Sequence, residues 1–208
     1  MMRSSPAVSA NRSPVRATVD TAQARVNSRL TQLSTKAERL WRRYRYPDWL
    51  VTHSRVVGRI AEALIAARRP RGEAIDADAI LLAAYLHDIG KSPLLSGDSR
   101  DHNILSGLVL AAEGLPQCIE PSRRHAIYCV LDPQLAPRTF AEKLVYTADR
   151  RGGQAVEDLE QRSRDTAQRN PKYAAEIARA VPIAKEIERE VFAQLTFAPH
   201  QLAARVTL

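Results

Sequence analysis

The sequence predicts an all-α protein, and composition, apolar periodicity and the lack of strand patterning all favour that class. Aromatic residues make up only 5% of the 208 residues, whereas Ala, Leu and Arg, which favour helices, are abundant. Apolar residues recur at intervals of three or four along most of the chain, and no strand alternation longer than about four residues occurs. With 45% apolar and 26% charged residues, one folded domain is expected.

Cysteine content and hydropathy exclude two classes of protein. Cys118 and Cys129 are too few for a disulfide framework, so both are expected to be small core residues. The most apolar stretch, residues 79–86, is far too short to cross a bilayer. The sequence therefore predicts a cytoplasmic protein that is neither stabilised by disulfides nor inserted in a membrane.

The formal net charge of +8 comes from the first 47 residues, which hold ten Lys or Arg residues against two acids. The remaining chain has 21 basic and 21 acidic residues and is neutral. Residues 1–17 show no apolar period and are expected to be a disordered basic tail, followed by a helix within 18–46. Three interpretations stay open for this arm: contact with nucleic acid or another anionic surface, an organellar transit peptide, or a solvated extension.

Start and stop signals divide the next part of the chain into helices. Pro47 ends the N-terminal helix, Asp48 caps the second, and the Arg-Arg-Pro-Arg-Gly segment at 68–72 ends it. Asp76 begins a third helix that is almost wholly apolar, and Gly90 stops it. A helix that is apolar on all sides is expected at the buried centre of a bundle.

A polar loop over 91–100 leads to the remaining helices, the last of which is expected to kink at Pro182. The helices form one predicted domain over residues 48–195, followed by a C-terminal tail over 196–208. The predicted helices cover residues 19–44, 48–67, 76–87, 101–113, 122–131, 139–150, 157–168 and 172–195.

Four residues on the inward faces of these helices carry chemistry that an apolar core does not need. His53 lies on the apolar face of the second helix, His87 and Asp88 end the third, and Asp149 closes the apolar face of the sixth. Since an unpaired buried carboxylate is costly, both aspartates need a compensating cation. Imidazoles cannot supply that charge, but they are good ligands for divalent transition metals. The pattern favours a metal site over separate salt bridges to neighbouring arginines.

The order of these residues resembles that of the HD-domain metal-dependent phosphohydrolases, over about residues 48–165. Three blocks carry the resemblance: Thr-His-Ser-Arg-Val-Val-Gly-Arg-Ile-Ala around His53, His-Asp-Ile-Gly-Lys with His87 and Asp88, and Glu-Lys-Leu-Val-Tyr-Thr-Ala-Asp-Arg with Asp149. The resemblance implies a compact HD-domain helical bundle and a metal ion held by these four residues. In that family the ion activates water for attack on phosphorus and polarises the phosphoryl oxygens.

Two further histidines match the binuclear subgroups of that family. His102 and His125 lie between the His-Asp pair and the final aspartate. The match implies that Asp88 bridges two ions and that these two histidines hold the second. The alternatives are a solvent-facing helix start for His102 and a basic surface patch for His125. Fe or Mn is expected, with Co, Ni, Zn or Mg as alternatives.

Three basic residues lie beside the implied metal site. The family's lysine at the position of Lys91 is credited with binding a substrate phosphate and stabilising the transition state. The alternative for Lys91 is a simple cation at a helix C-terminus. Arg150 and Arg151, which directly follow Asp149, are candidate phosphate contacts or else part of a solvated face.

The final block is also similar to that of the subgroup that hydrolyses diadenosine tetraphosphate symmetrically. A nucleotide or a dinucleoside polyphosphate is therefore the expected substrate, although the segment after His125 lacks the His-Thr continuation of that subgroup. The alternative function is a nucleic-acid-binding or regulatory protein that uses the metal-bound bundle as a scaffold and the basic arm as its contact surface. A homodimer is compatible with both functions.

Overall fold

The structure is a computed structural model that describes the backbone of residues 14–70 and 74–208, and side chains from residue 24 onward within those ranges. The described residues form eight α-helices and no β-strand, which confirms the prediction of an all-α bundle. The helices are α1 (Pro14–Arg43), α2 (Asp48–Ala66), α3 (Ala77–Leu86), α4 (His102–Ala112), α5 (Ile119–Arg123), α6 (Phe140–Arg151), α7 (Leu159–Arg169) and α8 (Ala174–Phe192).

Polar caps fix the starts of the helices that carry the site. The Asp76 carboxylate accepts a hydrogen bond from the Ala79 amide at the start of α3. Asp101 caps α4 in the same way, and Thr139 caps α6 in a capping box that Glu142 completes. Because each cap satisfies amide groups that lack a partner within the helix, the first turn of each helix is held in place.

The core surrounds α3, in which every residue from Ala79 to Leu86 is buried. This helix packs against α1, α2 and α6, as its uniformly apolar sequence predicts. A second apolar cluster lies around α8 and includes Tyr146, Leu159 and Ile187. Both clusters therefore pack against α6, and this helix carries Asp149 between them.

The α-helical conformation is interrupted within residues 122–131, where the sequence predicts a continuous fifth helix. Helix α5 ends at Arg123, Ala126 is extended with φ −68° and ψ 147°, and a 3-10 turn follows over Ile127–Leu131. Arg124 favours this break, because its guanidinium donates hydrogen bonds to the carbonyl oxygens of Gln134 and Ala136 and holds the following loop against α5.

Both ends of the described chain pack on the core. Helix α1 begins at Pro14, before the predicted start, and buries Ala37, Leu40 and Trp41, whereas residues 1–13 of the predicted tail lie outside the described residues. Residues 196–208, predicted as a tail, form two 3-10 turns and bury Phe197 and Leu202 in the main core.

Helix α8 continues as α-helix through Pro182. None of the described helices is long and apolar enough to cross a membrane.

Candidate metal centre

Six buried or half-buried side chains from five segments converge at one end of α3. The helix ends at Leu86, and His87 and Asp88 are the next two residues in the sequence. Both are almost fully buried. The other four come from α2, the first turn of α4, the break after α5, and α6. The structure thus brings together all six predicted ligands, which are His53, His87, Asp88, His102, His125 and Asp149.

His53 and His87 form the first half of the cluster with the two aspartates. The Nε2 atom of His53 lies 3.3 Å from Asp149 Oδ1 and 3.4 Å from Asp88 Oδ2. The Nε2 atom of His87 lies 3.4 Å from Asp88 Oδ2 and 3.7 Å from Asp149 Oδ1. Two imidazoles and two carboxylates therefore present four potential ligand atoms to a common centre.

His102 and His125 form the second half of the cluster on the other side of Asp88. The Nε2 atoms of His125 and His102 lie 3.1 Å and 3.6 Å from Asp88 Oδ1. The carboxylate of Asp88 thus directs Oδ2 toward one pair of histidines and Oδ1 toward the other. A carboxylate with this orientation has one oxygen available to each of two adjacent ions.

The hydrogen bonds of the imidazoles indicate where their protons lie. Nδ1 of His53, His87 and His125 faces the carbonyl oxygen of Gly153, Ala84 and Ser122, respectively. Because a carbonyl oxygen can only accept, each Nδ1 carries the proton and leaves a lone pair on Nε2 in the neutral ring. Histidines that bind metals commonly have this arrangement, in which a polar contact at the other nitrogen fixes the tautomer.

The contact between Nε2 of His53 and Nε2 of His87 indicates that the side chains of the cluster are suited to bind a cation. Nε2 of His53 and Nε2 of His87 lie 3.1 Å apart with both protons on the opposite nitrogens. In the neutral rings the two lone pairs face each other beside two carboxylates, an arrangement that an added proton on Nε2 or a bound cation would relieve. A divalent transition metal would satisfy them, since imidazole and carboxylate are among its usual protein ligands.

Both aspartates are held in the charged form. Burial alone would raise the pKa of Asp88, but the Lys91 ammonium and the neighbouring histidines bring this pKa well below its usual value. Burial likewise acts to raise the pKa of Asp149, and the Arg150 guanidinium outweighs it, so this pKa is also well below normal. The site therefore offers two carboxylates at neutral pH.

The histidines respond to the same burial in different directions. Burial lowers the pKa of His87, and burial together with the Lys91 charge lowers the pKa of His102 to about 4. For His53 the burial effect is outweighed by hydrogen bonds to Asp149 and Asp88, and its pKa is raised. The neutral state of His87 and His102 leaves each of these rings able to donate a lone pair to an ion.

The three predicted phosphate contacts have different surroundings. The Nζ atom of Lys91 lies 2.7 Å from Asp88 Oδ2, with 36% of its side chain exposed. Arg150 is buried and donates from Nη2 to Asp149 Oδ2. Arg151 is directed away from the site, because its guanidinium pairs with Glu188 and donates to the carbonyl oxygen of Pro199. The structure thus brings Lys91 and Arg150 to the cluster and does not bring Arg151 there.

A cavity of about 300 Å³ opens over the cluster, with Lys91, His102, His125, Asp149 and Arg150 in its wall. The wall also contains residues that sequence reasoning does not predict to be functional, namely Tyr128, Arg162, Thr166, Asn170 and Tyr173. The spacing of four between residues 162, 166 and 170 places them on one face of a helix, but that pattern alone does not indicate what the face contacts.

Tyr128 supports the second half of the cluster from the cavity wall. Its hydroxyl donates to Asp101 Oδ2 at 2.6 Å and accepts from Asn103 Nδ2 at 3.2 Å. The other oxygen of Asp101, Oδ1, lies 3.4 Å from Nδ1 of His102. Tyr128 therefore holds the carboxylate that orients the His102 ring.

An all-α bundle whose helices bring together four histidines and two aspartates defines a metal-binding helical protein. The family model of the HD domain matches residues 50–152, a range that includes all six side chains. This match to a domain of a hydrolase superfamily supports the assignment of the chain as a metal-dependent phosphohydrolase, at the level of the superfamily. Comparison with curated proteins and comparison with solved structures each found no match.

Proposed function

We propose that this protein uses two divalent transition-metal ions to hydrolyse a phosphoester or phosphoanhydride bond of a nucleotide or a dinucleoside polyphosphate. The observation that carries the proposal is the orientation of Asp88, whose two oxygens face separate pairs of histidines. The first ion would be held by His53, His87, Asp88 and Asp149, and the second by Asp88, His102 and His125.

Bound ions of this kind lower the pKa of a water molecule and polarise the phosphoryl oxygens. The protein's part is to keep the ligand groups charged or neutral as required and to hold them in place. Asp88 and Asp149 stay ionised because Lys91 and Arg150 compensate their charges. The carbonyl contacts at Nδ1 hold the imidazole rings so that each Nε2 faces the centre.

Lys91 is the proposed contact for the phosphoryl group that reacts. Its ammonium reaches Asp88 from the cavity wall and stays partly exposed to solvent. An ammonium has three N–H donors, so Nζ can keep its hydrogen bond to Asp88 Oδ2 and donate to a phosphate oxygen. Charge that develops on that oxygen in the transition state would be stabilised at this position.

Arg150 has two proposed roles. Its Nη2 holds Oδ2 of Asp149, which leaves Oδ1 of that carboxylate facing His53 and His87. The residue also lines the cavity, and its second proposed role is to bind a phosphate oxygen of the substrate through an N–H group that faces the cavity.

A nucleotide is the proposed substrate class because the cavity wall combines cations with aromatic rings. Tyr128 and Tyr173 line the same cavity as Lys91 and Arg150. Aromatic faces can stack on a nucleobase, and the basic side chains can bind its phosphates. The similarity of the final block to the subgroup that cleaves diadenosine tetraphosphate favours a dinucleoside polyphosphate within this class.

Metal content per chain tests the proposal, measured by elemental analysis on protein purified without a chelator or a metal-affinity tag. We expect about two transition-metal ions per chain in the wild type and about one in His125→Gln. His200→Gln is the matched control, because His200 is exposed and lies outside the cluster. A chain that retains no metal and binds none on dialysis against Mn or Fe would overturn the proposal.

Hydrolysis is then assayed on the metal-loaded wild type with diadenosine tetraphosphate, ADP, AMP and bis(p-nitrophenyl) phosphate. We expect release of product from at least the polyphosphates, and a loss of at least about a hundredfold in His87→Gln. Nucleic-acid binding by the basic arm is the second proposal, and it rests on the ten basic residues within 1–47. Metal retention without hydrolysis of any substrate, together with salt-dependent nucleic-acid binding, would favour this second proposal.

A further inference from the structure

The cavity over the metal cluster has a wall that lies outside the segment matched by the HD domain. The matched segment ends at residue 152, whereas α7 and the turn into α8 contribute Arg162, Thr166, Asn170 and Tyr173 to the wall. Cavity residues outside the matched domain are positioned to recognise parts of the substrate other than the reacting group.

Arg162 lies in this wall without a direct ion pair to any carboxylate of the described residues, although the charges of Asp149 and Glu157 act on it from a distance. Its Nε donates to the carbonyl oxygen of Gly152 at 2.7 Å, and its Nη1 donates to Thr166 Oγ1 at 3.1 Å. Both acceptors are neutral. They fix the orientation of the guanidinium, but among the described residues no carboxylate pairs with it.

The other cations of the cavity wall differ from Arg162 in this respect. Lys91 pairs with Asp88, and Arg150 pairs with Asp149. The carboxylate of Glu176 also lies in the wall, but it is exposed at the surface and forms no ion pair with Arg162 within the described part of the chain. Arg162 is therefore oriented by neutral groups, and its guanidinium is available to bind an anion in the cavity.

Burial makes this arrangement costly without an anionic ligand. Arg162 is partly buried, and its burial lowers its pKa even though the charge of Asp149 acts in the opposite direction. A partly desolvated guanidinium without a directly paired carboxylate costs free energy, and a bound anion would compensate that cost. Arginine is also the side chain best suited to bind phosphate oxygens through two N–H groups.

Arg162 and Lys91 reach the cavity from different segments of the chain. Lys91 follows Asp88 in a 3-10 turn after α3, and Arg162 lies on α7. The ammonium of Lys91 and the guanidinium of Arg162 are therefore two separate donors in the wall of one cavity. A substrate with consecutive phosphates can place one group at Lys91 and another at Arg162.

We infer that Arg162 binds a second phosphate group of the substrate, so that the site selects molecules with at least two linked phosphates over monophosphates. This inference rests on the proposed function and makes its substrate class more specific. The substrate is then a nucleoside polyphosphate or dinucleoside polyphosphate, and Arg162 is a specificity-determining residue that takes no part in breaking the bond.

The test uses binding, so that it does not depend on catalysis. Methylenediphosphonate carries two linked phosphonates that cannot be hydrolysed at the bridge, and methylphosphonate carries one. Their dissociation constants are measured by isothermal titration calorimetry on the full chain loaded with Mn and freed of excess metal. We expect the wild type to bind methylenediphosphonate about tenfold to a hundredfold more tightly than methylphosphonate.

Arg162→Gln should reduce this preference about tenfold and leave the affinity for methylphosphonate within about twofold of the wild type. Arg164→Gln is the matched control on the same helix, because Arg164 is exposed and its contacts to Glu160 and Gln161 lie within α7. This control should keep the preference. Arg162→Lys, which keeps the charge but not the planar fork, should keep part of it.

Two results would overturn the inference. The first is equal affinity of the wild type for the two probes. This result can be obtained without any variant, so it does not depend on whether a variant folds. The second is an Arg162→Gln variant that keeps the preference, or that loses affinity for both probes to the same extent. Failure of the proposed function would be distinct, because a chain that hydrolyses no phosphate compound can still show an Arg162-dependent preference in binding.

Discussion

Gly90 and His102 approach each other so closely that no side chain fits between them. A Cβ atom on Gly90 would lie 2.0 Å from the carbonyl oxygen of His102 and 2.7 Å from the amide nitrogen of Ser106. The Ser106 hydroxyl connects the two segments, because it accepts from the Gly90 amide and donates to the carbonyl oxygen of His87. This contact holds α4 against the turn that follows His87 and Asp88 and so positions His102 beside Asp88.

Gly90→Ala should therefore destabilise the protein by about 3 kcal/mol, because a methyl group at this position must push two backbones apart. Urea unfolding followed by circular dichroism measures the change. Gly97→Ala is the matched control, since a Cβ there would meet nothing within 4 Å, and it should change the free energy of unfolding by less than about 0.5 kcal/mol. Equal effects of the two substitutions would contradict the packing role of Gly90.

Local signals are sufficient to predict most of the helices. The polar caps at Asp76, Asp101 and Thr139 and the apolar run of α3 are readable because each depends on residues within one or two turns. The convergence of the ligands can also be expected, because burial of Asp88 and Asp149 on inward faces requires a compensating charge. The resemblance to the HD domain supplies the two histidines that burial alone does not select.

Contacts between residues far apart in the sequence determine the features that local sequence patterns do not predict. Apolar residues over 126–131 suit an α-helix and a 3-10 turn equally, and the choice depends on Arg124 and its acceptors in the following loop. Arg151 is adjacent to Arg150 in sequence, yet its partner Glu188 lies on α8, 37 residues away. No local pattern indicates which of two adjacent arginines turns toward a cavity.

Arg151 should contribute to stability and not to substrate affinity. Its side chain is only 7% exposed and pairs with Glu188, whose own side chain is 14% exposed, so removal of the guanidinium leaves a poorly solvated carboxylate. Arg151→Ala should lower the free energy of unfolding by about 3 kcal/mol. If the proposed hydrolysis is the activity, the KM of the folded, metal-loaded variant should stay within about twofold of the wild type.

Arg189→Ala is the comparison for this prediction. Arg189 lies on α8 and pairs with Glu186 at the surface, where 71% of its side chain is exposed. A surface pair contributes little, so this variant should lose less than about 1 kcal/mol. A rise in KM for Arg151→Ala without a loss of stability would instead assign Arg151 to the substrate site.

Both cysteines should be unreactive in the folded protein. Burial raises the pKa of Cys118 to about 12 and that of Cys129 to about 11, against an ordinary value of 9.0. The thiolate is the reactive form, so raised values reduce its fraction at pH 8 in the folded state. Ellman's reagent at pH 8 should label neither thiol within minutes and both after unfolding in guanidinium chloride. Rapid labelling of the native protein would contradict their buried placement.

Removal of metal should destabilise the chain, because it leaves the lone pairs of His53 and His87 facing each other beside two carboxylates. Binding to the folded state alone stabilises by about 4 kcal/mol when the free ligand is a thousandfold above its dissociation constant. EDTA should therefore lower the melting temperature of the wild type by several degrees. His87→Gln should respond less to EDTA, and His200→Gln should respond as the wild type does.

The N-terminal arm can be separated from the core only upstream of residue 33. Leu33, Ala37, Leu40 and Trp41 are buried, and the Trp41 indole donates to the carbonyl oxygen of Tyr85, whereas residues 24–29 are all exposed. Deletion of residues 1–23 should therefore change the equilibrium constant of unfolding by less than about twofold. The rate of hydrolysis should also stay within about twofold of the wild type. Deletion of residues 1–45 should unfold the protein, because it removes several buried side chains, each worth about 2–5 kcal/mol.

The shorter deletion tests the role of the arm in binding. It removes three arginines, Arg3, Arg12 and Arg16, and one acid, Asp20. If the arm binds nucleic acid, the deletion should weaken binding to a duplex in fluorescence anisotropy. It should also flatten the dependence of the logarithm of the affinity on the logarithm of salt concentration, by about 0.9 for each phosphate that these arginines neutralise. Unchanged binding and an unchanged salt slope would exclude residues 1–23 as the binding segment. Hydrolysis that continues at the wild-type rate would then assign the activity to the helical bundle alone.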